Sequence, residues 1–324
     1  MPLPDLSGPP PSPPGPRLAV TAIDQRPVHS EESRKAIRAT LRHPLENFAL
    51  VVVILVSVAI VGASIAAVIR AAQENTTPDP YAVLFTIAPL VLWLMRGQLL
   101  ARMRLGAVKV TASQYPEAHA MVAEAAAFYG LRRAPEAYVV LGNGMINAAA
   151  SGHGFRRFIF VYSDLFEVGG RLRNPDALRF IIAHEVGHIA AGHTSYWRWL
   201  GVFAGNIVPF LGSTLSRSQE YTADNFGYAF CPQGSPIAMS TLAAGKYLNG
   251  TVDINTIADR AEEEKGFFVW LVNGLASHPV LAWRAHALRD RSAPGRLLWR
   301  PRGPKTVEPR PTSHYSPVAG PGPH

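Results

Sequence analysis

Residues 48–69 run 22 positions without a charged side chain. As a helix rising 1.5 Å per residue, that run is about 33 Å long, enough for a hydrocarbon core of about 30 Å. A core helix of that length would show a polar face, and this run shows none. It is expected to cross a membrane. A second run, 81–95, has 15 residues and contains Pro89. Arg96 can snorkel, which lets a second span continue through Leu99 and Leu100; an interfacial or re-entrant segment is the alternative.

Past residue 105 the periodicity becomes that of a folded α+β domain. Pro116 suits a first helical turn and Gly130 the position beyond a helix end. Between them Ala118, Met121, Val122, Ala125 and Phe128 fall at helical spacing. Apolar runs at 137–141, 146–150 and 157–162, punctuated by Gly142, Gly144, Gly152 and Gly154, predict short antiparallel strands. Asn174-Pro175-Asp176 offers a cap, a first-position proline and a first-turn acid for a further helix running to about Gly192.

Composition adds the ends and the orientation. Residues 1–17 and 291–324 hold eight prolines each and are expected to be disordered, the first leading into a basic juxtamembrane stretch that reaches residue 47. The N-terminus lacks the short apolar core of a cleavable signal peptide. Of the net charge of +8, the tail from Arg291 supplies +5 (six basic residues, one Glu), so a solvated tail is expected rather than a nucleic-acid surface. Cys231 is the one cysteine, which excludes an intrachain disulfide and a thiolate zinc site. Arg34, Lys35, Arg38 and Arg42 precede the first run, and Arg96, Arg102, Arg104 and Lys109 end or follow the second. By the positive-inside rule both flanks are cytoplasmic and the loop holding Glu74 and Asp79 is outside, as in a plasma-membrane protein with two N-terminal spans.

The candidate chemistry sits in His184-Glu185-Val186-Gly187-His188. Residues four apart on a helix differ by about 40° in direction and about 6 Å in rise, so both imidazoles can converge on one zinc ion. Glu185, beside the first ligand, can act as general base on a water held there. Catalytic zinc typically takes three protein ligands. His193 lies about half a turn off the His184 face and suits the helix C-terminal dipole instead; a metzincin would need histidine at 194, which is Thr194. Glu220 is the better candidate. On a helix capped by Ser216, Glu220 and Asp224 share a face, giving one carboxylate for the metal and one to orient an imidazole, unless both simply face solvent.

These motifs resemble the HtpX-type membrane zinc metallopeptidases of metallopeptidase family 48, relatives of the CAAX prenyl endopeptidases with a gluzincin fold. The resemblance covers roughly 110–290. It includes Asn147-Ala148-Ala149-Ala150-Ser151-Gly152, similar to a segment beside the family's substrate groove, and His278-Pro279 followed by Arg284, similar to a late motif. It implies His184, His188 and Glu220 as ligands of one Zn2+, Glu185 as base, Asp224 behind a ligand, His278 as a catalytic donor heading a helix begun by Pro279, and Asn147 and Arg284 toward substrate. One departure stands out: HtpX has two more membrane segments between HExxH and the third ligand, where only 199–215 lies here. That stretch suits a membrane-facing or groove-covering helix, with a single tilted span as the minority view.

The expected architecture is therefore α+β, with two transmembrane helices over 48–100 and a gluzincin-like zinc metallopeptidase domain over 105–290. The expected activity is membrane-anchored endopeptidase cleavage of misfolded or membrane proteins, with the lipid bilayer and protein or peptide substrates as partners. The alternatives are a non-proteolytic membrane-anchored scaffold, which loss of a ligand or base would favour, and a protease for prenylated or lipidated peptides.

Overall fold

The computed structural model describes residues 30–166 and 174–301. The Pro-rich N-terminus and the tail beyond residue 301 lie outside the described residues. Helix α1 (Glu31–Thr40) opens at Ser30, whose hydroxyl accepts from Ser33 N. It carries Arg34, Lys35 and Arg38 to the start of α2 (Glu46–Gln73), which is followed by α3 (Pro80–Leu105). Asp79 caps α3 by accepting from Tyr81 N and Ala82 N, and Pro80 takes the position where a missing N–H costs nothing. Pro89 stays inside the helix. Among the described residues these are the two helices long and apolar enough to cross a membrane. They leave large apolar side chains uncovered, Leu55 at 63% and Leu94 at 56% exposure among them. A soluble core helix would bury these, so the packing itself sets the pair apart from one.

The domain begins with β1 (Val108–Lys109), α4 (Pro116–Phe128), β2 (Glu136–Val140), β3 (Ala148–His153) and β4 (Arg156–Tyr162). The α4 helix buries Ala118, Met121, Val122 and Ala125, four of the five positions expected; Phe128 is partly buried. The sheet is mixed, not antiparallel, in the order β1-β2-β4-β3. β3 and β4 form an antiparallel hairpin through Gly154, but β2 pairs with β4 in parallel, Ala137 opposite Ile159. Parallel neighbours need a crossover of about a dozen residues or more, and here residues 141–155, β3 included, supply it. β3 is thereby left as an edge strand. It is gripped at one end by α3: Arg96 does not snorkel but donates from Nε to Gly152 O (3.0 Å) and from Nη2 to Ser151 Oγ (3.1 Å).

Then come α5 (Pro175–Ala190), α6 (Tyr196–Val202), α7 (Leu211–Phe230), α8 (Gly234–Leu248), α9 (Ile254–Glu263), α10 (Phe267–Leu275) and α11 (Leu281–Arg289). The α5 helix starts at the predicted proline and lies in the main core with Ile159, Phe180, Ile182, Val186 and Phe226. Its crossing with α7 is close because Gly187 lacks a side chain: a Cβ there would sit 2.5 Å from Phe226 Cβ. Residues 199–215 form neither one helix nor a span. They break into α6, a 3-10 turn at Gly205–Ile207 and the start of α7, so Ser216 is interior to α7 rather than its cap. The turn sits against α2, with Gly205 N donating to Ser57 Oγ (2.7 Å). The disorder expected over residues 291–324 is corrected for the described part, 291–301. Leu297 is buried, its carbonyl accepts from Arg217 Nε (3.0 Å) and Asn273 Nδ2 (3.1 Å), and Gly295 O meets His43 Nε2 (2.9 Å).

Candidate metal centre

His184 and His188 lie one turn apart on α5 and face Glu220 of α7. His184 Nε2 is 3.2 Å from His188 Nε2; Glu220 Oε2 is 3.6 Å from the first and Oε1 is 3.4 Å from the second. At ligand distances of about 2.0–2.2 Å, the edges of a zinc tetrahedron measure about 3.3–3.6 Å, so the donor set matches that ion in spacing and type. Two imidazole lone pairs and a carboxylate oxygen packed this closely repel unless a cation lies between them. His184, His188 and Glu220 are the group among the described residues able to hold a metal.

The surroundings hold the ligands in place. Asp224 Oδ1 stands 3.0 Å from His184 Nδ1. Arg284 grips Asp224 with two hydrogen bonds, Nε to Oδ2 (2.9 Å) and Nη2 to Oδ1 (2.6 Å), and reaches within 3.9 Å of Glu220. Burial disfavours charge on His184, but hydrogen bonding and attraction from Asp224 and Glu220 outweigh it and raise its pKa to about 10. The same carboxylates would favour a divalent cation. Burial also opposes ionisation of Glu220, yet His184 and His188 hold its carboxyl well below the usual range. At Asp224 burial is overcome by Arg284 first and His184 second, again lowering the pKa.

The ligands open onto a cavity of about 330 Å³ whose lining includes Glu185, Asn147, Ala149, His278 and Trp199. Glu185 is buried beside His184 on α5. Asn147 lies just before β3, and its side-chain oxygen accepts from Ala148 N (2.9 Å). Asn147 O accepts from Tyr162 N, so the residues paired through hydrogen bonds with β4 are Asn147, Ala149 and Ser151. The peptide groups of Ala148 and Ala150 then point outward from the edge. His278 is 64% exposed, with Nε2 3.4 Å from Glu220 Oε1. It sits in the α10–α11 link, since α11 begins at Leu281 and not at Pro279. Arg284 lines the cavity but spends its guanidinium on Asp224 and Glu220, which makes it a holder of carboxylates rather than a free contact for substrate.

The family model of peptidase family M48 matches residues 112–200 and 197–292, more than half of the chain and every residue of this centre. The chain belongs to peptidase family M48. No curated protein and no solved structure matches it. The family is one of zinc-dependent peptidases, and the convergent His184, His188 and Glu220 give this M48 peptidase a place to hold the ion.

The places of two residues behind the centre, His193 and Glu46, were not legible in the sequence. His193 does not serve the dipole of α5. Gly192 turns the chain back with φ of +80°, and the His193 ring lands against His188, Nδ1 to Nδ1 at 2.7 Å. On its other side, His193 Nε2 lies 3.1 Å from Oε1 of Glu46, the first residue of α2. Burial, ahead of the other influences, pushes the His193 pKa down to about 3, so its ring is neutral. The signals available were a third histidine just past the motif and an acid just before the long apolar run.

Proposed function

We propose that this M48 peptidase is a membrane-anchored zinc endopeptidase that cleaves extended stretches of misfolded or membrane proteins on the cytoplasmic side. The observation that carries the reading is the placement of Glu185 on α5 next to His184, in one cavity with the three convergent ligands. When bound there, zinc supplies a Lewis acid that polarises the scissile carbonyl and lowers the pKa of water. Glu185 takes the proton of the attacking water and returns it to the leaving amine. The edge of β3 at Ala148 and Ala150, half-buried along the cavity, accepts an extended backbone as an added strand, which selects for unfolded chain more than for sequence. Proteolysis of an unfolded polypeptide by the purified full-length protein should stop with a strong chelator and return with stoichiometric zinc. Unchanged cleavage after verified metal removal would refute the reading.

His278 is assigned to the developing oxyanion, because its Nε2 stands beside Glu220 at the cavity while its Nδ1 meets Ser277 Oγ at 3.0 Å. Loss of such a donor costs about 10²–10³ in kcat. His278→Ala should therefore lower kcat with KM and Tm nearly unchanged. A Tm drop with activity tracking the unfolded fraction would assign it to structure instead.

Orientation follows from the basic flanks of α2 and α3. In a Cys231→Ser background, cysteine at Thr77, between α2 and α3, should react with an impermeant thiol reagent on intact cells, and cysteine at the exposed Lys265 should not. The reverse pattern would place the domain outside.

A further inference from the structure

His188 presents Nε2 to the metal centre, and what lies behind its other nitrogen is a chain of two groups. Nδ1 meets His193 Nδ1 at 2.7 Å, and His193 Nε2 meets Glu46 Oε1 at 3.1 Å. Glu46 is completely buried, and its carboxylate is held from three further sides. Arg198 Nη2 donates to Oε1 (2.7 Å), Arg42 pairs with the same oxygen, and the Thr222 hydroxyl donates to Oε2 (2.5 Å). The His193 side chain is 3% exposed.

The direction of this chain is dictated by its end. An ionised carboxylate only accepts, so His193 must carry its proton on Nε2 and leave Nδ1 as an acceptor. His188 must then donate from Nδ1, which leaves its Nε2 lone pair free and aimed at His184 and Glu220. Every donor in the row has an acceptor. His184 has the shorter counterpart, a carboxylate directly at its Nδ1. We propose that His193 and Glu46 are positioning residues for the metal ligand His188, and that the first apolar helix thereby holds the metal centre in shape. This rests on the metallopeptidase reading above. It also gives α2 a task beyond anchoring: the centre reaches full affinity only with the start of α2 seated between Arg42, Arg198 and His193.

The test is zinc affinity of the purified full-length protein, measured by competition with a chelator of known affinity. Outer partners of metal-bound histidines are worth roughly 10–100-fold in metal affinity, and His193→Ala should lose that much. His193→Gln should restore most of it, because its amide oxygen can accept from His188 Nδ1 while its amide N–H donates to Glu46. A merely structural role would show no such rescue. Tm in the presence of chelator checks that each variant is folded; should His193→Ala not fold, the shape-matched Glu46→Gln carries the test and should weaken zinc in the same direction. Wild-type affinity in folded His193→Ala or Glu46→Gln, or His193→Gln as weak as His193→Ala, would overturn the relay. Failure of the metal reading itself has a different signature: the wild type would bind zinc no more tightly than Glu220→Ala.

Discussion

Glu185→Gln should retain zinc and lose peptide hydrolysis. A positioned general base contributes roughly 10²–10⁴-fold, and loss near the upper end is expected here because Glu185 is the carboxylate lining the cavity that is not spent on the imidazoles. His184 and His188 are committed to the centre, Asp224 and Arg284 to each other, and Glu220 to the imidazoles. The amide is nearly isosteric, so Tm and metal content should stay near wild type. That separates lost chemistry from lost structure. Cleavage within about threefold of wild type, in protein checked for metal, would remove Glu185 from the mechanism.

Removing Glu220 should have the larger effect on the metal. It supplies one of three ligand atoms and the negative charge that balances the cation, so Glu220→Ala should weaken zinc by more than the roughly 10–100-fold typical of outer partners. Activity should fall with occupancy. The substitution also strips Arg284 and the two imidazoles of a shared carboxylate neighbour, so Glu220→Gln, which keeps the volume, is the companion variant. Both should elute from gel filtration with little zinc. Full zinc content in either would mean that the ion sits elsewhere.

The parts of this protein that were legible in its sequence are those with a local period. An uninterrupted apolar run gives α2, heptad-like spacing gives α4, and Asn174-Pro175-Asp176 places the start of α5 to the residue. HExxH is legible because its geometry lies within one helical turn. Glu220 was reachable as a carboxylate four residues before Asp224 on one face of a helix. What stayed hidden depends on where distant segments meet. The parallel pairing of β2 with β4 follows from the path of the crossover, which strand propensity does not encode. Arg96 reads as a snorkelling residue until the edge of β3 is seen beside it. Glu46 and His193 are 147 positions apart, and an acid at the head of an apolar run looks like a boundary marker until a histidine closes on it. Residues 291–301 have the composition of a free tail, yet the Leu297 carbonyl accepts from the buried Arg217, alongside those of Gly274 and Ala276.

The central claim is that a zinc ion is held between α5 and α7 beside Glu185. The direct measurement is an anomalous difference map of the full-length protein, recorded on both sides of the zinc absorption edge. The account predicts one peak per chain, bonded to His184 Nε2, His188 Nε2 and a Glu220 oxygen, with His193 outside bonding distance. A map without a peak at these three residues in protein shown to contain zinc, or a peak bonded to His193 in place of Glu220, would contradict it.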